Sequence, residues 1–126
     1  MQPTFNIPPI GARQGKLWGI TQLVFAWNGV ECWGLSIKKG GYSSTHFHSS
    51  KWNRFYVLSG ELKVEILLDQ NITDCSIIKA GQLTDVPPGT KHRFVALEDS
   101  LVMEFYWTVL EANDIEREGS RGGIEN

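Results

Sequence analysis

The chain has 126 residues, enough for one domain: two independent domains would average about 63 residues each, near the lower limit for a self-sufficient core. Apolar residues make up 41% and charged residues 21%, which excludes a disordered acidic chain and a collagen-like one. A formal charge of −2 gives none of the basic excess of a nucleic-acid binder, and no apolar run reaches the roughly 20 residues of a membrane span.

Residues 1–16 hold Pro3, Pro8, Pro9, Gly11 and Gly15 and read as an extended arm, because proline blocks helix and glycine dilutes a strand. This stretch lacks the apolar centre of a secretory signal, so a cytoplasmic location is expected. Cys32 and Cys75 are too few for a disulfide framework and are expected to be reduced and buried.

From Leu17 the pattern is β. Residues 21–27 are rich in β-branched and aromatic side chains and end at Asn28-Gly29, a strong hairpin signal. Residues 30–39 form the next strand, and Gly40-Gly41 breaks it. Residues 43–49 read as a short extended segment and 49–53 as a turn. Strands follow at 54–59, at 61–69 with Leu62, Val64, Ile66 and Leu68 on one face, at 73–80, at 82–86, at 91–97 and at 100–110. About nine short strands spaced by turns, with no convincing helix, predict an all-β antiparallel sandwich or barrel over residues 17–112. Residues 113–126 form a polar tail in which Asp114 to Glu118 could make a helical turn.

The three histidines are His46, His48 and His92. His46 and His48 form H-x-H in an extended segment, where residues i and i+2 share a face. His92 follows Pro87-Pro88-Gly89 at the start of another strand. Antiparallel packing can bring the three imidazoles onto one metal and leave positions open for water or substrate. The alternative is three solvated surface histidines that bind nothing. Glycine and proline corners beside both segments favour the mouth of a barrel, a common place for ligands.

Two motifs make this specific. Gly40, His46-Phe47-His48, Asn53 and Gly60 fall at the spacing of the first cupin motif, and Gly81, Pro87-Pro88-Gly89 and His92 at that of the second. The chain resembles a single-domain cupin over residues 35–108. The resemblance implies a double-sheet jelly-roll β-barrel and a divalent metal (Zn, Mn, Ni or Fe) held by His46, His48, Asn53 and His92. Cupins usually carry Glu where this chain has Asn53, and often Asn where it has Ala96. Asn53 could give a neutral carbonyl oxygen to the metal or only hydrogen-bond a ligand histidine. An all-neutral set binds a cation less tightly and leaves it a stronger Lewis acid, and a metal-free barrel is the other outcome.

Trp18-Gly19, Ser59-Gly60, residues 88–93 and Asn113-Asp114-Ile115-Glu116-Arg117 are similar in order to the cupin half of type II mannose-6-phosphate isomerases. That likeness implies a sugar or sugar-phosphate ligand and a metal-dependent isomerase or epimerase. A three-histidine non-haem iron dioxygenase and a non-catalytic carbohydrate-binding barrel are the alternatives. The five tryptophans are expected chiefly in core and interface packing; a sugar pocket would use one or two, with Trp52, beside Asn53, the best candidate for its rim. Lys51, Arg54, Lys91 and Arg93 flank the motifs and could gather an anion, or be solvated charge; alternation turns Arg93 away from His92. Glu104, on the face of Val102, Tyr106 and Thr108, is a general base or extra ligand if that face lines the cavity, and an ordinary edge charge if it does not. The Pro-rich arm and the apolar strand at 21–27 predict a homodimer.

Overall fold

The computed structural model describes Gly11, residues 13–108 and Ile124. Its elements are β1 (Arg13–Lys16), β2 (Gly19–Trp27), β3 (Val30–Ile37), β4 (Trp52–Ser59), β5 (Glu61–Leu68), β6 (Asn71–Lys79), β7 (Leu83–Val86), β8 (His92–Ala96) and β9 (Ser100–Trp107). No helix among the described residues is long and apolar enough to cross a membrane.

All strand pairs are antiparallel, in a six-stranded sheet of order β1-β2-β3-β9-β4-β7 and a three-stranded sheet of order β6-β5-β8. The fold is the expected all-β jelly roll. Each sheet hides one face, and the two hidden faces meet over Leu35, Ile37, Phe55, Val57, Leu62 and Val64, with Phe94, Ala96 and Val102 closing the core. Asn28 and Gly29 take φ of 47° and 82°, the paired left-handed geometry of a tight hairpin. Gly60 turns the chain from one sheet to the other at φ 94°, and a Cβ there would lie 2.3 Å from Ser100 Oγ.

Several local expectations change. Within the extended arm, Arg13–Lys16 forms a short strand whose backbone pairs with β2 from Arg13↔Gln22 to Lys16↔Gly19. It covers the start of β2, Gly19–Gln22, and leaves residues 24–27 without a strand partner on that side among the described residues. Trp52 and Asn53 open β4 instead of forming a turn: Trp52 lies opposite Trp107 on β9, and the two indoles stack at 6.2 Å. Leu68 leaves the apolar face of β5 because the β5–β6 register shifts between Ile66 and Leu67. Cys32 is buried, but Cys75 is exposed on edge strand β6; both are free thiols. Residues 113–126, apart from Ile124, lie outside the described residues, as do the proposed helical turn and the Asn113–Arg117 motif.

Candidate metal centre

The histidine segments meet by backbone pairing. His46 N–H donates to His92 O at 3.1 Å, and His92 N–H donates back to His46 O at 2.9 Å. Tyr42↔Val95 is a second bridge, so residues 42–46 run along β8 without becoming a regular strand. After the Pro87-Pro88 turn, Gly89 N–H donates to His48 O at 2.7 Å and ties the second motif to the first. The alternation expected of H-x-H survives: the His46, His48 and His92 ring centroids lie 4.5–5.6 Å apart.

The nitrogens able to act as ligands lie within 4.8 Å of one another. Ligand nitrogens on a tetrahedral ion at ordinary bond lengths stand about 3.4 Å apart, so small ring movements would complete a site. Two rings are already oriented. His46 Nδ1–H donates to Ser44 O at 2.8 Å, leaving the Nε2 lone pair free; His92 Nδ1 faces Thr90 O at 2.9 Å in the same manner. His48 Nε2 is buried with no hydrogen-bond partner. Burial, helped by the charges of His46, His92 and Lys51, pushes the His48 pKa down to about 4, so its ring is neutral at pH 7 and keeps a lone pair. Burial also lowers His92, against the opposing effect of the Thr90 carbonyl.

Asn53 is fully buried on β4. Its Nδ2 donates to Glu104 Oε2 and Phe105 O, both at 3.3 Å, which turns Oδ1 toward His92 Nε2 at 3.1 Å. A neutral His92 has one N–H, yet both its nitrogens face oxygens. Whichever nitrogen carries the proton, the other points a lone pair at an acceptor. A cation beside His92 Nε2 removes that conflict and also satisfies the orphaned His48 Nε2. On this donor chemistry the residues fit a metal ion, and His46, His48 and His92 could hold it.

Glu104 faces inward on β9, the face that sequence alternation left undecided. It lies opposite Trp33 on β3 and Phe55 on β4. Burial raises its pKa to about 7, against hydrogen bonds from Tyr106 and Asn53. The Tyr106 hydroxyl is pushed far above its ordinary value by burial and by Glu104, so it stays protonated and donates to that carboxyl. Its ring packs edge-on against His48 at 4.9 Å.

A cavity of about 470 Å³ joins these groups, lined by His46, His48, Glu104, Tyr106, Trp18 and Trp33 among others. Trp52 does not line it: its place across the outer face from Trp107 removes it from the rim. Tyr106 and Glu31 carry no spacing signal that marks them as site residues. They become neighbours only through the β3–β9 register, which sets Glu31 opposite Tyr106.

A family model described as "Cupin domain" matches residues 35–109, more than half of the chain. No curated protein matches the sequence. Among solved structures, KdgF from Halomonas sp. is similar with a TM-score of 0.68 and 22% identity, over 79% of this chain and 89% of that one. An RmlC-like cupin from Shewanella frigidimarina is similar with a TM-score of 0.63 and 20% identity, over 87% and 95%. A variant of oxalate decarboxylase from Bacillus subtilis gives a TM-score of 0.67 at 17% identity, over 78% of this chain and 27% of that longer one. With the two histidine motifs inside the matched segment and the jelly roll around them, this chain belongs to the cupin family.

Proposed function

We propose that this cupin is a metal-dependent isomerase or epimerase of a sugar or sugar phosphate, with His46, His48, Asn53 and His92 as ligands and Glu104 as the group that moves the proton. The observation that carries the reading is the buried, partnerless Nε2 of His48 in a cluster with two histidines whose Nδ1 atoms face backbone carbonyls. When bound, the divalent ion supplies Lewis acidity, undiminished by its neutral ligands, to a carbonyl or to adjacent hydroxyls. Asn53 aligns Oδ1 beside His92 Nε2 and presents Nδ2 to Glu104, so one side chain couples the ligand set to the acid–base group.

Isomerisation lifts a proton from the carbon beside a carbonyl and returns one to the neighbouring position. A carboxyl titrating near pH 7 is populated in both forms at neutral pH and can perform both transfers. Trp18 and Trp33 give the cavity aromatic surface against which the apolar side of a sugar ring can pack. The neutral ligand set also favours a second reading, a three-histidine iron dioxygenase.

The test is a panel of aldoses, ketoses and their phosphates, incubated in D2O with protein loaded in turn with Zn, Mn, Ni or Fe and followed by NMR. Deuterium is expected to enter at the carbon next to the carbonyl, and Glu104→Gln is expected to slow that exchange by about 10²-fold or more while retaining the metal. Oxygen consumption by the iron form without deuterium exchange would replace this reading with the dioxygenase.

A further inference from the structure

We propose that the cavity selects an anionic ligand, a sugar phosphate or a sugar carboxylate, and that Lys51 grips its charge. The sugar part of this inference rests on the reading above; the charge part rests on how the structure sorts the basic residues around the two motifs. Arg54 lies on the outer face of β4, forked onto Asp85 at 2.7 and 2.8 Å, with its guanidinium 5.2 Å from the Trp107 ring centroid. Arg93 points away from the interior, bonded to Glu65 at 2.6 Å and lying over Tyr42. Lys91 lines, with Arg93 and Gln70, a second groove that touches the centre at His46 but holds neither His48 nor Glu104. Of these four, Lys51 shares the cavity of His46, His48 and Glu104.

Lys51 follows His48 by three residues on the bend that leads into β4, so ammonium and imidazole ride on one short piece of backbone. Its Nζ donates to Glu31 Oε2 at 2.9 Å and lies 5.3 Å from the Tyr106 ring centroid. Glu31 is itself held by Trp33 Nε1 at 3.1 Å. A lysine side chain left alone would sample open solvent; this one is held at the cavity. An ammonium has three N–H donors, and Glu31 is its one hydrogen-bond partner among the described residues. The Lys51 side chain is 44% exposed and that of Glu31 19%, which puts the unused donors at the entrance, where an entering anion meets them.

The charge balance points the same way. The charged side chains lining the cavity are Lys16 and Lys51 on one side and Glu31 and Glu104 on the other. With Glu104 ionised they cancel, and with it protonated one positive charge is left over; a bound divalent ion adds further positive charge. An anionic group on the ligand completes the balance, and Lys51 sets where that group sits. The cavity, about 470 Å³, lies within the range of about 300–1,000 Å³ usual for small-ligand sites.

The experiment is calorimetric titration of the protein, metal-free and metal-loaded, with glucose, glucose 6-phosphate and glucuronate. At least one charged sugar is expected to bind about tenfold or more tighter than glucose. Lys51→Met is expected to erase that advantage and Lys51→Arg to keep most of it, at unchanged metal content and melting temperature. Which charged sugar wins decides between phosphate and carboxylate. Equal binding of glucose, no binding by any of the three, or an advantage that survives Lys51→Met would overturn the assignment. Metal content is read separately: a chain that takes up no metal but still prefers the anion through Lys51 fails the metal reading and keeps this one.

Discussion

Followed along single strands, the inward positions change character. On β4 they run Asn53, Phe55, Val57; on β8 His92, Phe94, Ala96; on β9 Tyr106, Glu104, Val102; on β3 Trp33, Leu35, Ile37. One end of the interior is closed by aliphatic and aromatic side chains. The other end carries His92, Asn53 and Glu104, buried on the same strands, with the half-buried His46 and His48 beside them. Burying those groups opposes folding: His48 Nε2 lacks a partner, and Glu104 meets water too little to ionise normally. The apolar end therefore supplies the stability that lets the polar end hold an arrangement no core would choose by itself.

That contrast can be broken or sharpened by substitution at each end. The largest effect is expected at the apolar end. Leu62→Ala removes a side chain with no solvent exposure and should cost about 4 kcal/mol in denaturant unfolding while leaving metal uptake unchanged. A comparable loss of metal affinity would mean that the two ends are not separable.

The next effect has the opposite sign and depends on pH. The Glu104 carboxyl keeps its proton up to about pH 7 in the folded chain, whereas its ordinary value is 4.5. Between those values the folded state binds a proton that the unfolded state has released, so this group's contribution falls as pH rises and is flat above the window. In metal-free protein, Glu104→Gln should match the parent below about pH 4.5 and exceed it by about 3 kcal/mol at pH 8. A gain independent of pH would show that the Glu104 carboxyl does not titrate in that window.

The outer sheet surface obeys a different rule from either end. Glu65 is buried, which alone would raise its pKa, but hydrogen bonds from Arg93 and Lys63 hold the carboxyl below its ordinary value. Here charge is compensated within hydrogen-bonding distance. Inside, His48 Nε2 has no such partner, and that difference separates a structural ion pair from a candidate site.

Strand positions were legible because apolar alternation and turn residues are local signals: Asn28-Gly29 takes the backbone geometry its composition demands. The histidine convergence was legible because H-x-H and the Pro-Pro-Gly turn are local too. The inward direction of Glu104 was not. The opposite face of β9 carries Leu101, Met103, Phe105 and Trp107, as apolar as any core face, so alternation alone could not choose between them. Trp52 was misplaced for a related reason. Its strand begins early because of a partner, Trp107, that lies 55 residues away in the chain. Lys51 was one of four basic candidates that the sequence could not rank, and Glu31 and Tyr106 become its neighbours only through the β3–β9 register and the bend after His48.

The central claim is that three imidazoles form a metal centre whose bare state is strained. Its most direct measurement is metal titration by calorimetry, with elemental analysis and thermal unfolding, of untagged protein and of His48→Leu. The parent should take up one divalent ion per chain and gain about 2.7 kcal/mol at a free metal concentration 100 times the Kd. His48→Leu, relieved of its orphaned nitrogen, should be about 1 kcal/mol more stable without metal and gain nothing from it. A parent that binds no ion, or a His48→Leu variant that binds one as well as the parent does, would contradict the account.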